Sequence, residues 1–140
     1  MNVQQPEATT PPSRDETVAT VLPPVPPSVS AARRFVAAAL RRHHTLPEVI
    51  DTACLLTSEL VTNALVHAQS RVKLTVSVLG RRVRVEVGDG SDAQPRPRPM
   101  ADDSTTGRGL HIVEAMATRW GSSMTADGKR VWFELEGVDG

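Results

Sequence analysis

The stretch Leu55-Leu56-Thr57-Ser58-Glu59-Leu60-Val61-Thr62-Asn63-Ala64-Leu65-Val66-His67-Ala68 constrains this chain more than any other. Apolar residues fall on nearly every side of the helix it would form, and a helix of that kind is buried. At 3.6 residues per turn Thr52, Glu59, Asn63 and His67 share one narrow stripe, with Glu59 and Asn63 roughly 40° apart and side by side. Leu56, Leu60, Ala64, Ala53 and Val61 lie to one side of the stripe, and Cys54, Leu65, Leu55 and Val66 close the other. A carboxylate in that setting costs several kcal/mol unless something satisfies it. The pair has two readings. In one, a core helix uses its Glu and Asn to cap neighbouring loops. In the other, the Asn63 amide oxygen is a hard, neutral donor for Mg2+, an ion that takes oxygen ligands and substrate phosphates. Glu59, one turn earlier, could then orient or deprotonate a hydroxyl or water attacking phosphorus.

Composition narrows the setting. The chain has 140 residues, enough for one core but not two. Lys and Arg total 16 and Asp and Glu total 16, so no overall field favours nucleic acid or an anionic membrane. The aromatic residues are Trp120, Trp132, Phe35 and Phe133, so base-stacking platforms are effectively absent and the core must be Leu, Val and Ala. Cys54 stands alone, forms no intramolecular disulfide and fits a reducing cytosol. No apolar run approaches ~20 residues, and the N-terminus lacks the basic start and apolar run of a signal peptide. The expectation is a cytoplasmic protein that does not span a bilayer.

Residues 1–16 hold Gln, Pro, Thr and charges with almost nothing apolar to offset the entropy of ordering. They read as a disordered tail, with one domain over residues 17–140. Thr17 to Leu22 is β-branched and suits an edge strand, ended by Pro23-Pro24-Val25-Pro26-Pro27. Ser28 or Ser30 can cap a first helix through about Arg42, with Ala32, Phe35, Val36 and Ala39 or Leu40 inward. The cations Arg33, Arg34, Arg41, Arg42, His43 and His44 read as a solvated face at a helix C-terminus rather than a phosphate patch. Thr45 is a candidate cap, with Pro47 in the first turn, for the organising helix over Pro47 to Ala68.

Arg71 to Val78 and Arg82 to Val87 alternate polar and apolar across Leu79-Gly80-Arg81, which predicts an antiparallel hairpin. Gly88-Asp89-Gly90-Ser91-Asp92 follows, with glycines that let backbone approach a ligand and an acid at a strand end. A long polar, Pro-rich loop leads to Thr105-Thr106-Gly107-Arg108-Gly109-Leu110, where free N–H groups at a helix start make an anion site. In that helix Leu110, Val113, Met116 and Ala117 or Ile112 are expected inward. Trp120 to Ala126 and Arg130 to Glu136 flank the turn signal Asp127-Gly128. About five strands and three helices make an α+β, two-layer sandwich, a mostly antiparallel sheet against a helical layer.

In chain order these motifs resemble the GHKL ATPase superfamily, whose nucleotide fold histidine kinases, gyrase B and MutL share. The N-box matches as Glu59-Leu60-Val61-Thr62-Asn63-Ala64, the first glycine box as Asp89-Gly90-Ser91, and the second as Thr106-Gly107-Arg108-Gly109-Leu110-His111-Ile112-Val113. Over Thr17 to Gly140 the chain is most similar to the small bacterial anti-sigma-factor serine/threonine kinases. The resemblance implies a Bergerat-type ATP-binding fold, with ATP and Mg2+ as ligands. It implies that Asn63 holds Mg2+ against the phosphates, Glu59 is the general base, and Asp89 accepts a hydrogen bond from the adenine amino group. Gly107, Arg108, Gly109 and Leu110 would offer backbone N–H groups to the phosphates. Arg130 stands where the family usually has a threonine near the adenine, so its side chain must turn outward.

The implied function is transfer of the ATP γ-phosphate to a Ser or Thr of a partner regulator. The alternative is a non-catalytic, ATP-dependent module that sequesters a sigma factor or other regulator. Sigma factor and anti-anti-sigma protein are the implied partners, with no direct nucleic acid or membrane contact, and the resemblance also allows a homodimer. No Walker-type Gly-Lys-Ser/Thr sequence is present, which excludes a P-loop.

Overall fold

A computed structural model of the chain describes residues 15–68, 70–89, 111–126 and 128–137. The tail expected over residues 1–16 falls almost wholly outside them, as do the polar loop and the glycines of both boxes. Strands β1 (Glu16–Leu22), β2 (Val72–Leu79), β3 (Arg82–Asp89), β4 (Arg119–Thr125) and β5 (Gly128–Glu136) form one sheet in the order β1-β2-β3-β5-β4. Every pairing is antiparallel. Helices α1 (Pro27–Arg41) and α2 (Pro47–Ala68) join β1 to β2, and residues 111–116, helical and labelled α3, precede β4. This is the α+β sandwich that the hydrophobic pattern predicts.

Alternation sets the two sheet faces. Val72, Leu74, Val76 and Val78 of β2 and Val83, Val85 and Val87 of β3 are all buried, and Phe133 and Leu135 of β5 sit beside them. These residues share a core with Ala32, Val36 and Leu40 of α1, Ala53, Leu56, Leu60 and Val61 of α2, and Val113 of α3. Burying each Val, Leu or Phe stabilises the fold by ~1.5–3 kcal/mol, so the core rests on many aliphatic contributions rather than on a few aromatics. At the β2–β3 turn Gly80 has φ 66°, a left-handed value that opens a two-residue hairpin loop with little steric cost.

Four local expectations are corrected. Neither Ser28 nor Ser30 caps α1: the N-cap is Pro26, whose side chain makes no cap bond, and the buried Ser28 hydroxyl instead donates to the Pro23 carbonyl at 2.7 Å. Thr45 does not cap α2 either, because its hydroxyl donates to Leu40 O at 2.7 Å and closes the end of α1. Met116 is 44 % exposed rather than inward. Leu55 and Val66 are 41 % and 55 % exposed, so α2 is a core helix with an apolar outer edge rather than one buried all round.

The expectation that no apolar run nears the span of a bilayer also changes: Pro47–His67 is long and apolar enough to cross a membrane by length and composition. In this fold the same helix packs on α1 and on β2, β3 and β5, which accounts for its apolar content.

Candidate functional site

The direction of α2 decides which residues can meet. A Cβ on Gly137 would touch Val49 and Leu46, and Gly137 N donates to Arg81 O at 3.2 Å, so α2 begins at the β2–β3 turn. Its other end leads within a few residues into Val72, the direct register partner of Asp89. The C-terminal half of α2, with Glu59 and Asn63, therefore lies toward the end of the sheet where Asp89 stands.

Glu59 and Asn63 are both half-buried, one turn apart on the same side of α2. Asn63 Nδ2 is inaccessible to solvent and has no hydrogen-bond partner among the described residues. A buried amide group without a partner is costly, about 1–3 kcal/mol, and marks a place where a ligand or water completes the structure. Glu59 forms no hydrogen bond or ion pair among the described residues, so its carboxylate is not engaged as a loop cap there.

Asp89 continues the inward series Val83, Val85, Val87 at the end of β3, which puts it on the helix-facing side, half-buried. Its Oδ1 accepts a hydrogen bond from Lys129 N at 3.5 Å, a contact across the β3–β5 ladder. Arg130 has the opposite parity. It pairs with Gly88 in the register, and its Nε lies 3.2 Å from Glu86 Oε2 on the outer face. The outward turn expected of Arg130 is thus made by a specific ion pair, and the long cation leaves the Asp89 side open.

Among the described residues no group of three or more His, Cys, Asp and Glu could hold a metal by itself. Mg2+ needs no such cluster, since it takes one or two protein oxygens and fills its octahedron with phosphate oxygens and water. The Asn63 amide carries one oxygen of that type. Gly107, Arg108, Gly109 and Leu110 lie outside the described residues, immediately before α3. Burial, with a smaller contribution from Asp51, pushes the Cys54 thiol up, which disfavours the thiolate, and Sγ donates to Arg33 O at 3.6 Å. Of the cations grouped at α1, Arg33 binds Ser58 and Ser30, while Arg42 and His43 reach Glu16 at the start of β1.

Sequence reasoning missed one cluster, the outer-face group Arg84, Trp132 and Glu134. Its signal is the alternation itself, which sends these residues away from the core once β3 and β5 are paired.

Residues 22–135 match the family model of the histidine kinase-like ATPase domain, and the chain belongs to that family. Domains of this family bind ATP, typically with Mg2+. Among solved structures, the chain resembles the histidine kinase domain of the blue-light activated histidine kinase from Erythrobacter litoralis EL346. The two share 18 % identity at a TM-score of 0.51, over 95 % of this chain and 68 % of that one, a likeness of fold. A search of curated protein sequences returns no match.

Proposed function

We propose that this chain is an ATP-dependent serine/threonine protein kinase of the anti-sigma-factor type, cytoplasmic, which transfers the γ-phosphoryl group of ATP to a hydroxyl of a partner regulator protein. One observation carries the reading. Glu59 and Asn63 stand side by side on α2, the first unengaged and the second with a buried amide nitrogen that has no partner among the described residues. The amide nitrogen is a donor that a phosphate or water oxygen would satisfy, which leaves the amide oxygen for Mg2+.

Each residue has a task that its chemistry suits. Asn63 would hold Mg2+ through its amide oxygen, and the ion, when bound, offsets charge on the phosphates. Glu59 would accept the proton of the incoming Ser or Thr hydroxyl and orient it toward phosphorus. Asp89, braced by the Lys129 backbone, would accept a hydrogen bond from the adenine amino group. It would reject guanine, which presents a carbonyl oxygen at that place and leaves the acid unpaired. Gly107, Arg108, Gly109 and Leu110 would give backbone N–H groups to the phosphates.

Glu59→Gln tests the role of base. The variant should bind ATP as the parent does and lose phosphoryl transfer by about 10²-fold or more, read by phosphate incorporation into an anti-anti-sigma-type acceptor. Transfer near the parent rate overturns the role of Glu59. Nucleotide-dependent complex formation with no phosphate on any partner favours the sequestering module instead.

A further inference from the structure

The sheet face turned away from the helices carries a charged network that the nucleotide site does not use. Register sets Arg82, Arg84 and Glu86 of β3 beside Glu136, Glu134 and Trp132 of β5, and β4 adds Arg119 opposite Glu134 and Gly121 opposite Trp132. Glu134 is the centre. Its side chain is 7 % exposed, Arg84 Nη1 donates to Oε2 at 3.1 Å, and Arg82 and Arg119 flank Oε1 at 3.6 Å each. Arg84 Cζ lies 4.0 Å from the centroid of the Trp132 ring. Glu86 ties in Arg130 at 3.2 Å and Arg84 at 3.8 Å.

Glu134 and Glu86 sit low and three of the guanidiniums stand out. Arg119, Arg130 and Arg82 are 59 %, 48 % and 40 % exposed. Four guanidiniums face three carboxylates, Glu86, Glu134 and the exposed Glu136, a surplus of one positive charge. With five N–H donors on each guanidinium, they offer more hydrogen bonds than three carboxylates can accept. Ion pairs and the ring stack already restrict these side chains, so a partner would meet them with part of their ordering entropy already lost. At one end of the face Arg82 also lines an open groove of about 610 Å³ with Leu79, Arg81, Glu136 and Gly137, an apolar wall beside two cations and one acid.

We infer that this face docks an acidic segment of a partner protein, with carboxylates taken by Arg82, Arg119 and Arg130 and an aliphatic side chain taken against Leu79. Charge complementarity selects that occupant. A nucleic acid is the poorer fit, because Arg84 already covers the Trp132 ring and no stacking platform is left on this face among the described residues. The inference stands apart from the nucleotide reading, since none of these residues lies on α2 or on the Asp89 side of the sheet.

The test is fluorescence anisotropy of a labelled glutamate homopeptide against the full chain, beside a lysine homopeptide and a thymidine oligonucleotide, at low and physiological salt. The glutamate peptide should bind, weaken with salt, and shift the Trp132 indole and Gly121 amide signals in a heteronuclear NMR spectrum. Arg119→Glu with Arg130→Glu should weaken binding about tenfold or more. The Arg119→Gln, Arg130→Gln pair, which removes charge without reversing it, should give an intermediate loss at a near-parent melting temperature. Absence of peptide binding, indifference to charge reversal, shifts confined to the helical face, or tighter binding of the oligonucleotide would each overturn the inference.

Discussion

Gly121→Ala probes the packing of the outer sheet face with a single methyl group. A Cβ at Gly121 would stand 2.7 Å from Trp132 Cζ2, 2.9 Å from Cε2 and 3.0 Å from Nε1. Carbon atoms pack best at about 3.5–4.0 Å, so the ring must move by close to an ångström. It is not free to do so, since Arg84 stacks on it at 4.0 Å. Overpacking of this kind typically costs about 1–3 kcal/mol. Against it stands the gain of replacing glycine in a strand, about 0.4–1 kcal/mol through the unfolded chain. The overpacking wins, and the net loss is about 1–2 kcal/mol, a drop in melting temperature of roughly 5 °C for a domain of this size. Calorimetric melting reads it directly.

A matched control separates clash from backbone effects. Gly80→Ala meets nothing within 4 Å but sits at φ +66°, so its loss comes from conformation alone. The decisive form is a double-mutant cycle: in a Trp132→Leu background Gly121→Ala should lose most of its penalty, and Gly80→Ala should keep its own. If Gly121→Ala is as stable as the parent, or its penalty survives removal of the indole, the ring does not lie against the β4 backbone and the reasoning fails.

Two further outcomes follow from side chains at the edges of the fold. The His43 hydrogen bond, helped by Arg42, holds the Glu16 carboxyl below the usual carboxylate range. A depressed folded pKa means a contribution present above the unfolded value, ~4.3, and lost as pH falls through the folded one. The melting-temperature gap between the parent and His43→Ala should therefore shrink on acidification below about pH 4, and a gap that stays constant to strong acid would contradict the pairing. Arg130→Thr removes a half-exposed ion pair with Glu86 and should change stability by at most ~1 kcal/mol. Titration with ATP should find its affinity within about twofold of the parent, since side chains on opposite sheet faces act independently. A large gain in affinity would mean that the cation visits the nucleotide side.

The sheet was legible because its signal is dense. In Val72 to Val78 and Val83 to Val87 every second residue is aliphatic, and with a side-chain period of two that pattern fixes both the strand and its buried face. The same parity carries Asp89 to the helix side and Arg130 to the other once β3 and β5 are in register, a placement that rests on the pairing as well as on the pattern. The polar stripe of Glu59 and Asn63 was readable for the equivalent reason in a helix.

Caps were not legible, because a hydroxyl near a helix end has two uses. Ser28 and Thr45 each spend theirs on a neighbouring carbonyl, of Pro23 and Leu40, and the choice depends on how the chain turns rather than on residue type. The exposure of Leu55 and Val66 was hidden as well, since apolar content says how much of a helix can be buried and only its neighbours decide how much is. The contact of Gly121 with Trp132 exists only once β4 and β5 are in register, so no local pattern announces it.

The central claim is that Asp89 and Asn63 belong to one ATP site, and isothermal titration of the purified chain with ATP tests it most directly, with and without Mg2+, beside GTP. The account predicts that ATP binds and GTP does not, that Asp89→Asn abolishes binding, and that Asn63→Ala removes the dependence on Mg2+. Equal binding of GTP, or unchanged ATP affinity in Asp89→Asn, would contradict it.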